Sequence, residues 1–138
     1  MVERVRAIRG ATTAAANTPQ SIAEAVTELL DHLLDRNPVE VDDVVNVIFS
    51  VTPDLNTIYP AQVARSRPGW DQVPLLDVQH MQVTGGLACC IRVLMQINTQ
   101  RPRSQIHHVY LRGAKELRPD LETQSLHYSS VEARNLTS

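Results

Sequence analysis

A chain of 138 residues with a formal charge of −2 and a pI near 6.2 is the size of one domain with its own core, and it lacks the basic excess of a general polyanion binder. Aromatic residues make up only 4%, too few to build stacking platforms for nucleic-acid bases. No apolar stretch approaches the roughly 20 residues of a spanning helix, and the charged start MVERVRAIRG has neither an apolar core nor a small-residue cleavage site, so a cytoplasmic setting without membrane contact is expected.

The first segment, Arg4-Val5-Arg6-Ala7-Ile8-Arg9, alternates charged and apolar residues. That predicts a half-buried strand with its arginines on one face, stopped at Gly10. Asn17-Thr18-Pro19 then supplies an N-cap and a proline for a first helical turn. Ile22, Val26, Leu29, Leu30, Leu33 and Leu34 recur at helical spacing until Asn37-Pro38, which predicts an amphipathic helix of about 18 residues. Val44 to Val51 is rich in β-branched residues and ends at Thr52-Pro53-Asp54, the pattern of a strand running into a turn. Tyr59-Pro60-Ala61-Gln62-Val63-Ala64-Arg65 reads as a short helix, broken by Pro68-Gly69. Further strands are expected at Val73–Val78, Cys90–Asn98 and His107–Arg112. Residues 1–120 form the expected single domain, and the polar residues 121–138 a mobile tail. About five strands with one long helix is an α+β arrangement of a mixed sheet. One helix covers one face of such a sheet, so the other apolar face calls for self-association.

Residues 78–93, VQHMQVTGGLACCIRV, hold most of the candidate chemistry. Cys89 and Cys90 are neighbours, so on a strand their side chains diverge. They lack the spacing and companion ligands of a metal site, and a disulfide between neighbours is strained. They read as small packing residues, and His107-His108 diverges for the same reason. Thr84-Gly85-Gly86 lacks the Lys-Ser/Thr of a phosphate loop and reads as a tight turn. No Gly-x-Ser-x-Gly nucleophile signature occurs. Asp77 and His80 stand three apart, as a surface pair or as part of a site. Arg92 lies inside Cys90-Ile91-Arg92-Val93-Leu94-Met95, a run too apolar for an idle charge. Either it makes a structural salt bridge or snorkels at an edge, or it is held in a dry site to meet an anion. Arg9, Arg118 and Tyr110 are candidates to converge with it. Of 13 basic residues, 12 are Arg and only Lys115 is Lys. The guanidinium fork suits carboxylates, although a GC-rich genome or a simple Arg-for-Lys drift accounts for the bias more readily.

These residues lie in a chain that resembles the AroH-class chorismate mutases, the small trimeric α+β type. The resemblance runs from Arg6 to about Asp120. It rests on Ile8-Arg9-Gly10-Ala11-Thr12-Thr13, Thr52-Pro53-Asp54-Leu55, Tyr59-Pro60-Ala61, Val83-Thr84-Gly85-Gly86-Leu87, Cys90-Ile91-Arg92-Val93, His108-Val109-Tyr110-Leu111 and Leu117-Arg118-Pro119-Asp120, in that order. It implies a homotrimer like a pseudo-α/β barrel, with active sites at subunit clefts. It also implies the Claisen rearrangement of chorismate to prephenate, on the way to phenylalanine and tyrosine, with no metal, cofactor or covalent intermediate.

By position, the resemblance makes Arg92 the catalytic group facing the ether oxygen of the breaking C–O bond. Arg9 would bind a substrate carboxylate and Tyr110 would hydrogen-bond one near the ether bridge. Tyr59 would wall the pocket from the neighbouring subunit, with Arg65 at its entrance, and Arg118 would help close the site with Leu117 beside it. One departure stands out. His80 occupies the place of a Glu that contacts the substrate hydroxyl, and Asp77 a place that is often Cys. Asp77 is expected to supply the missing carboxylate, with neutral His80 orienting it or accepting a hydrogen bond. Two rival functions follow: a weakly active or non-catalytic trimer that binds a chorismate-like dicarboxylate, and an imine-deaminase-like trimer.

Overall fold

The structure, a computed structural model, describes residues 2–119; the expected tail lies outside the described residues. Strand β1 (Arg4–Thr13) leads to helix α1 (Pro19–Arg36), strand β2 (Val44–Val51) and short helix α2 (Pro60–Arg65). Strands β3 (Leu75–Gln79), β4 (Cys90–Thr99) and β5 (Val109–Tyr110) follow, with 3-10 turns between elements and at Arg112–Leu117. The sheet order is β3-β2-β4-β1-β5. Central β4 is antiparallel to β1 and β2, while β3 runs parallel to β2 and β5 parallel to β1. This is the mixed five-stranded α+β sheet expected.

Helix α1 forms where its pattern predicts. The Thr18 hydroxyl accepts the Ser21 N–H at 3.1 Å, Pro19 occupies the first turn, and Asn37 caps the C-terminus, satisfying end groups the helix cannot satisfy itself. Its apolar stripe, Ile22, Val26, Leu29, Leu30 and Leu33, is fully buried, at roughly 1.5–3 kcal/mol of burial per side chain. The stripe packs on Ile8 of β1, Val47 and Phe49 of β2, and Ile91, Val93 and Met95 of β4. A Cβ at Gly10 would lie 3.0 Å from Val93 Cγ1 and 3.2 Å from Leu29 Cδ1. The glycine lets α1 sit close to β1 and does not end the strand, which runs three residues further than expected.

Residues Ile91, Val93, Met95 and Ile97 are buried toward the helices, and Arg92, Leu94 and Gln96 alternate with them onto the opposite face. Nothing in the described chain covers that second face. Leu76 is 55% exposed there with Val78 beside it on β3, and Val5 of β1 is 52% exposed at the other end of the face. The same alternation corrects the expected grouping of arginines: Arg9 pairs opposite Leu94 and faces the open side, whereas Arg4 and Arg6 face the other. Strand β5 is shorter than expected. Past Leu111 the chain turns through Arg112 at φ +51 into the 3-10 turn. Arg112 is held there by Glu28 at 3.1 Å and by the Thr13 carbonyl at 3.3 Å.

Candidate active site

The open face of the sheet gathers four of the nine candidates, Arg9, His80, Arg92 and Tyr110. Arg92 on β4 lies between Ser50 of β2 and Ala11 of β1, its register partners. Ala11 pairs in turn with Tyr110 of β5, and Arg9 sits two residues along β1 on the same face. Ala11, fully buried, stands between Arg92 and Tyr110 in this row. The Arg92 Nε is buried without a hydrogen-bond partner, so a charged fork is held in place with donor capacity unspent.

His80 leaves the end of β3 with its N–H donating to the Val51 carbonyl at 3.1 Å. Its ring Nδ1 lies 3.2 Å from Ser50 Oγ, a bond whose direction follows the tautomer. Burial first, and the Arg92 charge second, depress its pKa below the usual histidine value. The ring is therefore neutral near pH 7.

A cavity of about 630 Å³ opens in front of Arg92, lined by His80, Thr52, Asp54 and the 81–88 loop. Asp54 closes one wall: one carboxylate oxygen accepts the Thr52 hydroxyl and the other the Cys89 N–H at 2.9 Å. The Thr52 bond chiefly holds this carboxyl below its ordinary pKa. Thr52 Oγ1 also accepts the Cys90 N–H at 2.9 Å. The cysteines shape this wall: Cys89 adopts φ +52 and Cys90 is fully buried. Burial foremost raises both thiols, so they stay protonated. Gly85, at φ +83, and the 2.9 Å bond from Gly86 N–H to the Val83 carbonyl form the expected tight turn.

The remaining candidates fall into a second group. Tyr59 precedes α2 and is 69% exposed, Arg65 is the last residue of α2, and Asp77 sits on β3. One Asp77 oxygen accepts the Ala61 N–H at 2.9 Å. Burial raises the Asp77 pKa, with the Ala61 bond and the Arg65 charge opposing. Asp77 pairs with Phe49 and so shares the helix side of the sheet, whereas His80 bonds to Ser50 on the open side. The structure therefore joins Asp77 to α2 and does not bring it to His80. Half-buried Leu117 ends the 3-10 turn near the β5 edge, and exposed Arg118 follows it. Among the described residues no three His, Cys, Asp or Glu side chains converge as metal ligands.

The sequence matches the family model for type I chorismate mutase over residues 5–121. The chain belongs to the type I chorismate mutase family. It is 44% identical over 117 residues to the chorismate mutase AroH of Bacillus subtilis (strain 168), spanning 85% of this chain and 92% of that one. It is 45% identical over 120 residues to the chorismate mutase AroH of Thermus thermophilus, spanning 86% and 98%. The solved chorismate mutase of Clostridium thermocellum superposes with a TM-score of 0.77 at 43% identity, covering 80% of this chain and 97% of that one.

For a type I chorismate mutase chain, sequence reasoning singled out Arg9, Arg92 and Tyr110 and passed over Ser50, Asp54 and His108. Ser50 carried a readable signal, as a hydroxyl in the apolar run VVNVIFSV. Asp54 was visible only as a turn residue, because its bonds reach 35 residues away to Cys89. His108 was set aside with His107, although its Nδ1 accepts the Arg9 backbone N–H at 3.0 Å.

Proposed function

We propose that this chain catalyses the rearrangement of chorismate to prephenate, as an isomerase acting in the cytoplasm on the route to phenylalanine and tyrosine. The observation that carries this reading is the buried, unpartnered Arg92 Nε at the cavity wall. In the reaction the ether C–O bond breaks as a new C–C bond forms within one molecule. Electrons move around a single ring, with no proton, oxidant or covalent enzyme intermediate required. The ether oxygen gains negative charge on the way, and a preorganised donor aimed at it stabilises the transition state by about 3–4 kcal/mol. Arg92 fills that role. Arg9 and Tyr110 on the same face hold the carboxylates, Arg118 with Leu117 closes over them, and fixing the compact conformer supplies the orientation part of the rate.

Neutral His80 stands where a carboxylate would meet the substrate hydroxyl. With its Nδ1–H donated to Ser50, its Nε2 lone pair accepts that hydroxyl. The two groups of candidates lie on different sides of one chain's sheet. A site that uses both takes Arg9, Arg92, Tyr110 and His80 from one chain, and Tyr59, Arg65 and Asp77 from its neighbour. The exposed Leu76 and Val78, on the same face as Arg92, support such a contact, and we take the assembly to be a homotrimer.

The deciding experiment is a direct ultraviolet measurement of chorismate loss with the purified full chain, together with light scattering for its mass. Turnover by a trimer is expected. Binding of chorismate without turnover would refute the enzyme reading and favour the dicarboxylate-binding trimer, which the missing acid at position 80 makes the second reading.

A further inference from the structure

Arg9 is held by an unusual bond. Strand β5 pairs with β1 only at Gly10–Val109 and Ala11–Tyr110, and the Leu111 N–H donates to the Ala11 carbonyl at 2.9 Å. One step earlier, the Arg9 N–H would meet a backbone carbonyl if the parallel ladder continued. It meets the imidazole of His108 instead, at 3.0 Å. The reason lies in α1. Asn37, its buried C-cap, accepts the His107 N–H at 2.8 Å and donates to the His107 carbonyl at 2.7 Å and to the Leu33 carbonyl at 3.0 Å. The backbone at His107 is thus committed to the helix end, and the ladder stops at Val109.

We propose that His108 is a positioning residue for Arg9: its ring takes the place of a strand partner and fixes the point on β1 from which the guanidinium enters the site. This rests on the reading of Arg9 as a carboxylate-binding group. The donor is a backbone amide, so the tautomer follows directly. Nδ1 must carry the lone pair and Nε2 the hydrogen. A protonated ring would present a donor to a donor, and the bond would be lost. The groups acting on His108 are Arg118, Arg9 and His107, and burial, the largest influence, together with these three lowers its pKa. The acceptor therefore survives at neutral pH with two arginines close by, and opens only in acid. Gly10, packed under Leu29 and Val93, holds the next residue rigidly, so a displaced Arg9 amide shifts the arginine and not the strand as a whole.

The test compares His108→Asn with His108→Leu in the full chain. Asparagine places its side-chain oxygen where Nδ1 stands, and leucine fills the space without an acceptor. Expected in the leucine variant are a KM for chorismate raised about tenfold, a kcat changed much less, and faster hydrogen exchange at the Arg9 amide. The asparagine variant should restore both toward wild type. In the wild type the Arg9 amide resonance should shift as His108 protonates below pH 6.5, and in the asparagine variant that shift should vanish. Equal behaviour of the two variants in KM and in Arg9 exchange would overturn the proposal. So would an Arg9 amide indifferent to His108. A wild type that bound but did not convert chorismate would sink the function reading, while the amide measurements would still decide the clamp.

Discussion

Replacing Arg92 by methionine should separate activity from stability. The unbranched apolar chain keeps much of the arginine's packing and removes its charge. On the catalytic side, loss of a donor aimed at the breaking bond costs about 3–4 kcal/mol, or roughly two to three orders of magnitude in kcat. On the stability side the sign reverses. Arg92 Nε is buried without a partner, and an unsatisfied polar group of this kind costs about 1–3 kcal/mol. Among the described residues, the partner lost is the weak contact with the Cys90 thiol. The variant should therefore be as stable as the wild type or more stable by about 1 kcal/mol. The assays are chorismate consumption and urea denaturation at fixed protein concentration, since association contributes to apparent stability. The Arg92 charge also depresses the His80 pKa, so His80 should titrate at higher pH in the variant. Turnover within tenfold of wild type, or a loss of stability like that of a core truncation, would refute the reasoning.

Asp77→Asn keeps an oxygen for the Ala61 N–H and removes the charge. The fold should hold and kcat/KM should fall about tenfold; an unchanged kcat/KM would remove Asp77 from the site. Gly10→Ala forces a methyl against the Val109 carbonyl, 3.2 Å away, and the Val93 and Leu29 side chains. It should lower unfolding free energy by about 1–3 kcal/mol, read as a drop in urea midpoint. For pH, His80 and His108 both have folded pKa values below 6.5. The unfolded chain takes up protons there that the folded chain refuses. Their contribution is whole above pH 6.5 and declines as pH falls below it. A His80→Gln, His108→Asn double variant should lose that slope, and an unaltered slope between pH 6.5 and 5 would refute the assignment.

Helix α1 and strand β2 could be read from the sequence because their signals are local: a cap, a proline and a stripe in one case, a β-branched run in the other. Arg92 could be read because a charge in an apolar strand is costly wherever that strand packs. Legibility failed where partners lie far apart in the chain. Gly10 looked like a stop, and the close approach of Val93, Leu29 and the Val109 carbonyl explains why the strand needs it. Only Val78 and Gln79 separate Asp77 from His80 in sequence, but pleat alternation and the chain's departure from β3 send them to opposite sides. His108 looked redundant beside His107 until the clamp of Asn37 on residue 107 left its ring to face Arg9.

The proposed division of the site into one group on the open sheet face and another around α2 of a neighbouring chain has a genetic consequence. A chain crippled at Arg92 still carries a sound α2 half, and a chain crippled at Asp77 still carries a sound sheet half. Expressed together, two such defective alleles would, in the proposed trimer, form mixed assemblies in which some clefts draw their intact halves from different polypeptides. Complementation between lesions in one gene would then follow from geometry alone.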